Sequence, residues 1–141
     1  MKFTNIIFFT IALLLTSNLK AQTEIELIQK TLTDYIEGTA NGEPERLRKA
    51  FHENFKLYFV ANDSLNIWSG KHYINNVTPG KKSNRIGKII SIDYVNNASN
   101  AKIEIDMPDK KRIYTDYLLL LKYEGSWKII QKSFTYVSYP K

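Results

Sequence analysis

Tyr114-Thr115-Asp116-Tyr117-Leu118-Leu119-Leu120-Leu121-Lys122-Tyr123, then Glu124-Gly125-Ser126, then Trp127-Lys128-Ile129-Ile130-Gln131-Lys132-Ser133-Phe134-Thr135-Tyr136, is the stretch that decides the fold. Two strand-forming runs flank a turn that contains glycine, which predicts a β-hairpin. A two-residue loop, Glu124-Gly125, sets Gly where φ must be positive. That register pairs Leu120 with Ile129, Lys122 with Trp127 and Asp116 with Ser133. It puts Asp116, Leu118, Leu120, Trp127, Ile129, Gln131 and Ser133 on one face. Tyr117, Leu119, Leu121, Ile130, Lys132 and Phe134 fall on the other. A three-residue loop would shift the pairing and exchange the faces. Leu118 to Leu121 are apolar on both faces, so this strand is expected to be central and covered on both sides. Helices can cover one side. A second copy of the chain, or a long loop, would cover the other.

The chain has 141 residues, the length of one domain. Its start has a separate meaning. Met1-Lys2 is followed by the apolar run Ile6–Leu15 and a polar stretch ending at Ala21. This is the pattern of a secretory signal peptide cut after Ala21. The run is too short to span a bilayer comfortably, which takes about 20 apolar residues; the alternative is an uncleaved N-terminal anchor. No Cys follows it, so a lipoprotein attachment is excluded. The mature domain is expected to be residues 22–141, periplasmic or secreted, with no membrane attachment after cleavage.

Losing Lys2 and Lys20 with residues 1–21 lowers the formal charge from +6 to +4. The remaining basic residues are scattered, whereas a nucleic-acid surface needs a focused patch. The charge reads as solubility. There is no cysteine, so the fold must be held by its core alone. With two His residues and no Cys, a structural zinc site is not expected.

The N-terminal half is helical. Ile25, Ile28, Leu32, Tyr35 and Ile36 make one stripe over residues 22–39. Thr23 and Glu26 have the spacing of a capping box, and Asn41-Gly42 can end the helix. Pro44 opens a second, short helix that is expected to stop around His52 to Asn54. Strands follow at Phe55–Ala61 and Leu65–Trp68. Ser69 can cap a third helix, Gly70–Val77. Lys81–Arg85 reads as an exposed basic connection. Strands at Ile86–Val95 and Ala101–Met107 lead into the hairpin. Helices ahead of a meander predict an α+β domain: a curved antiparallel sheet wrapped around the N-terminal helices as a cone with a pocket at its open end.

This order resembles the NTF2-like (SnoaL-like, cystatin-related) superfamily, and within it the secreted bacterial group labelled lumazine-binding. Tyr35-Ile36-Glu37-Gly38-Thr39, Gly42 and Glu45–His52 carry the likeness, with Thr115–Leu118, Gly125 and Trp127–Ile130 in the hairpin. Members commonly follow Phe-His with Pro-Asp-Ala. Here Glu53-Asn54-Phe55 follows, so the exit from the second helix is built differently. The resemblance implies a flavin-like heterocyclic ligand; no cofactor is expected. Related enzymes of this fold use an Asp or His in the cone for isomerisation, dehydration or cyclisation. The fold also hosts inert binding modules.

Two residues are candidates for proton transfer. His52 at a helix end could face the cone as an acid or base, or simply cap a carbonyl. Asp116 on the inner face could be a base, or pair with Lys132 or Arg112. Together they would make a dyad. Tyr58, Trp68, Tyr73, Tyr117, Trp127 and Phe134 could stack on a planar ring or pack the core. Lys132 could neutralise an anionic ligand or reach for solvent. There is no phosphate loop, nucleophile elbow or metal-ligand spacing. Three readings stand: a dimeric protein that binds a small apolar or heteroaromatic ligand, a cofactor-independent isomerase or dehydratase using His52 and Asp116, and a protein-interaction module with a filled cone.

Overall fold

The computed structural model describes residues 22–140. The signal-peptide segment, residues 1–21, lies outside the described residues. Helix α1 (Glu24–Asn41) and helix α2 (Pro44–Ala50) lead into strands β1 (Phe51–Ala61) and β2 (Ser64–Ser69). Helix α3 (Gly70–Asn75) and an irregular segment then reach β3 (Ile86–Val95), β4 (Ala98–Met107), β5 (Arg112–Tyr123) and β6 (Ser126–Ser138).

α1 forms where its stripe and caps direct. Thr23 accepts from the Glu26 amide and Glu26 answers the Thr23 amide, so two otherwise orphaned donors are satisfied. Ile28, Leu32, Tyr35 and Ile36 are buried along one face. Gly42 closes the helix at φ 67°, in the left-handed region. A Cβ there would stand 2.6 Å from the Thr78 carbonyl oxygen. The close approach seats the segment after α3 on the end of α1. The Gly80 amide donates to the Gly42 carbonyl and the Ser83 amide to the Ala40 carbonyl, each at 2.8 Å.

The six strands form one sheet in the order β2-β1-β6-β5-β4-β3. This corrects the expected cone. The sheet is open, with β2 and β3 as two separate edges, and it is mixed because β1 runs parallel to β6. Each hairpin is antiparallel, as local turn chemistry requires. The β1–β6 pairing joins segments far apart in sequence, and alternation of side chains does not encode which strand is the neighbour. α1 packs against the β3 and β6 side of the sheet, and α3 against β1. The core between them includes Leu32, Tyr35, Leu47, Phe55, Ile103, Ile105, Leu118, Leu120 and Ile129.

The final hairpin turns through Glu124 and Gly125 at φ 49° and 74°, the two-residue loop with both central residues left-handed. Leu120 faces Ile129 and Lys122 faces Trp127, as that loop predicts. The register then slips. Leu119 faces Gln131, leaving Ile130 as a β-bulge, so Asp116 meets Phe134 and not Ser133. The extra residue reverses the alternation along the rest of β6. Lys132 and Phe134 therefore join Asp116 and Leu118 on the helix-covered face, which corrects the expected separation of Lys132 from Asp116. On the opposite face Tyr117, Leu119, Leu121 and Tyr123 are all 40 % exposed or more.

The second helix ends at Ala50, not near His52 to Asn54. Phe51 already belongs to β1, so His52 is a strand residue.

Candidate functional site

Three buried polar side chains meet on the inner face of the sheet beneath α1. Tyr35 comes from the middle of α1, Asp116 from β5 and Lys132 from β6 beyond the bulge. The Tyr35 hydroxyl donates to Asp116 Oδ2 at 2.5 Å and accepts from Lys132 Nζ. Lys132 Nζ also lies 2.9 Å from Asp116 Oδ2. The ammonium sits over the Tyr35, Tyr73 and Phe134 rings, 4.9, 5.5 and 5.2 Å from their centroids. An ammonium in that setting gains from both the carboxylate and the ring faces. Burial raises the Tyr35 phenol well above its ordinary range, and the Asp116 charge adds to this. Tyr35 is thus held neutral.

Asp116 uses only one of its oxygens in this triangle. Oδ1 is buried and unpartnered among the described residues. So is Nε of Arg85, at the end of the irregular segment before β3. Buried polar atoms without partners are rare, and each calls for a physical cause.

Both residues line a cavity of about 200 Å³. Lys132, Leu57, Met107 and Lys110 also line it. Its walls are aromatic: Trp68 from β2, Tyr73 from α3, Tyr114 from β5 and Phe134 from β6. Phe59 fixes two of them, stacking on Phe134 at 5.0 Å and meeting Trp68 edge-on at 5.2 Å. Burial works against the Arg85 charge, but Tyr35, Tyr73 and Asp116 together hold the guanidinium above its ordinary pKa.

Of the residues proposed from sequence, Trp68, Tyr73, Asp116, Lys132 and Phe134 converge on this cavity. The other four do not. His52 lines a separate hollow of about 370 Å³ with Arg48 and Lys71, beside α2 and α3. Its Nδ1 accepts from the Asn54 amide at 3.1 Å and its ring packs edge-on to Tyr123. No contact joins His52 to Asp116. Tyr117 is on the far face, 52 % exposed. Tyr58 neighbours Leu57 in β1 and so also faces away. Trp127 is buried beside the N-terminus of α1, its indole N–H donating to Glu24 at 2.8 Å. Arg85, Tyr35 and Tyr114 are site residues the sequence reading missed. Arg85 stood in a basic run that looked exposed, and Tyr35 in an apolar stripe that looked like packing alone.

The family model described as "Putative lumazine-binding" matches residues 23–135. The chain belongs to this family. Solved structures place it in the NTF2-like superfamily. An NTF2-like protein of unknown function from Shewanella baltica OS155 superposes with TM-score 0.69 at 25 % identity, over 86 % of this chain and 100 % of that one. A second, from Methylobacillus flagellatus KT, gives TM-score 0.71 at 24 % identity, over 85 % and 98 %. Among curated proteins, the aldolase FrzH of Cladobotryum sp. is 23 % identical over 119 residues, spanning 84 % of this chain and 94 % of that protein. As an NTF2-like chain, its inner sheet face and covering helices position the cavity around Asp116 and Lys132.

Proposed function

We propose that this NTF2-like protein binds a small ring-bearing ligand in the cavity between the inner sheet face and α3, after export and removal of residues 1–21. The observation that carries the reading is the pair of buried, unpartnered polar atoms, Arg85 Nε and Asp116 Oδ1, on residues of one aromatic-walled cavity. Binding sites combine apolar walls with a few fixed polar groups in this way. The membership in a family described as lumazine-binding supports a heteroaromatic ligand.

Native mass spectrometry of the mature chain from its own host tests the reading. A discrete adduct, lost when Trp68→Ala and Tyr73→Ala are combined, is the expected result. An adduct indifferent to that double change would place binding elsewhere.

A second reading is proton-transfer catalysis without a cofactor. The free Oδ1 of Asp116 favours it, since a base needs an unoccupied oxygen facing its substrate. The aldolase name of the Cladobotryum relative adds weight. His52 has no part in this version. Turnover that survives Asp116→Asn would end it.

The exposed apolar row on β5, which includes Tyr117 and Leu119, further supports a homodimer through the outer sheet face.

A further inference from the structure

The charges around the cavity do not balance. Asp116 and Lys132 form an ion pair, and Tyr35 is neutral. Arg85 is left over. Its half-buried guanidinium makes no ion pair among the described residues, and its Nε is wholly buried without an acceptor. Leaving a guanidinium donor in that state is costly. The cost is tolerated where something outside the chain supplies the acceptor.

Arg85 is also held in place. The backbone before it is tied to the end of α1 through Gly80 and Ser83. The adjoining Asn84 side chain donates to Asp109 Oδ1 at 2.9 Å. A side chain mounted on so anchored a segment is preorganised, which favours recognition by lowering the ordering cost. The planar fork of arginine matches a carboxylate with two parallel N–H bonds.

We propose that the cavity takes a small aromatic carboxylic acid as its anion, with the carboxylate on Arg85 and a ligand hydroxyl or ring N–H donating to Asp116 Oδ1. The proposal rests on the ligand-binding reading above and narrows it to a chemical class. With Lys110 exposed to solvent, the half-buried Arg85 is the unmatched cation within the cavity, and it calls for one negative charge. A dianionic phosphate would place surplus charge beside the Asp116 carboxylate, and like charges in a shared buried site disfavour each other. The ring lies between Trp68, Tyr73, Tyr114 and Phe134, whose faces suit a planar partner. A volume of about 200 Å³ is below the usual range for drug-sized ligands, so the ring system is compact.

Isothermal titration at pH 7 with 4-hydroxybenzoate and 6-hydroxy-2-naphthoate, each beside its methyl ester, tests this on the mature chain. The ester keeps ring and hydroxyl and removes the charge. At least one acid should bind about tenfold or more tighter than its ester, as a charge-assisted bond implies. Arg85→Gln should abolish that preference. Esters that bind as well as acids would overturn the carboxylate assignment and leave the ligand-binding reading standing. No binding of either form would overturn both. Should Arg85→Gln fail to fold, the acid-to-ester ratio of the parent protein decides alone.

Discussion

Lys132 Nζ lies 2.9 Å from Asp116 Oδ2 across β6 and β5, and neither side chain is more than 6 % exposed. The two face each other only because Ile130 is extruded as a bulge between them and the hairpin turn. Without that residue the ammonium would point to the opposite face of the sheet and the carboxylate would be buried alone.

Removing one partner of this pair should therefore be severe. Asp116→Ala leaves Lys132 buried with only the Tyr35 hydroxyl and aromatic rings around it. A loss of about 3–5 kcal/mol is expected in urea unfolding. Replacing both, as Asp116→Leu with Lys132→Met, should cost far less, because no uncompensated charge stays inside. A double variant no more stable than Asp116→Ala would show that the site's stability rests on something other than the pair.

Tyr35→Phe removes the hydroxyl that bridges Asp116 and Lys132. The expected cost at pH 7 is about 1–3 kcal/mol. The same variant tests the alkaline limb. The folded-state pKa of Tyr35 is raised, so the stability it contributes is complete below the unfolded tyrosine value of about 10 and is lost as pH rises towards the folded value. In that window the parent should lose up to about 1.4 kcal/mol per pH unit through this residue. Tyr35→Phe should show a flatter decline. Parallel curves would mean that Tyr35 is not held neutral by the fold.

At the acid end the reporter is Glu24. It bonds Lys122 Nζ at 2.6 Å and the Trp127 indole at 2.8 Å, and these bonds hold its carboxyl below the ordinary range. Its contribution is present above the unfolded carboxylate value and fades as pH falls through the folded one. Trp127 emission, followed from pH 6 downward, should shift as the indole loses its charged acceptor. Glu24→Gln should remove that transition. A transition unchanged in Glu24→Gln would assign it to another carboxylate.

Deleting Ile130 should be worse than substituting it. Ile130→Val keeps the bulge and should cost about 1 kcal/mol or less. Deletion restores simple alternation and sends Lys132 and Phe134 to the wrong face. Loss of cooperative thermal unfolding is expected for the deletion alone. A deletion variant that melts like the parent would show that the strand can recover its register by another route.

Leu119→Arg addresses the outer face of β5. Sedimentation equilibrium should show a dimer for the parent and a monomer for the variant, with the inner cavity unaffected because Leu119 points away from it. A parent that sediments as a monomer would remove the case for a partner on this face.

Much of this architecture could be read from residues near each other in sequence. The capping box at Thr23, the stop at Gly42, the Ser69 cap and the Glu124-Gly125 turn are local devices, and each forms as read. The pairing next to the turn, Leu120 with Ile129, follows from loop length. At the very next residue the bulge intervenes, and no local signal in Ile129-Ile130-Gln131 marks which residue will be squeezed out. The parallel β1–β6 pairing was equally hidden, because it depends on where α3 and the following segment carry the chain. Arg85 shows the same limit at the site. Its neighbours Lys81 and Lys82 are exposed, as a basic run suggests, while Arg85 is turned inward by ties that involve Gly42, Ala40 and Asp109.

Those ties have a consequence for how occupancy could be felt beyond the cavity. The segment bearing Arg85 hangs from the C-terminal end of the same helix that supplies Tyr35. A ligand that engages Arg85 would load the amides of Gly80 and Ser83, whose acceptors are the carbonyls of the cap residue Gly42 and of Ala40 in the last turn of α1. Slowed hydrogen exchange at those two amides would then register a filled cavity from the protein surface, while the exchange of β5 at the centre of the sheet stayed as it was.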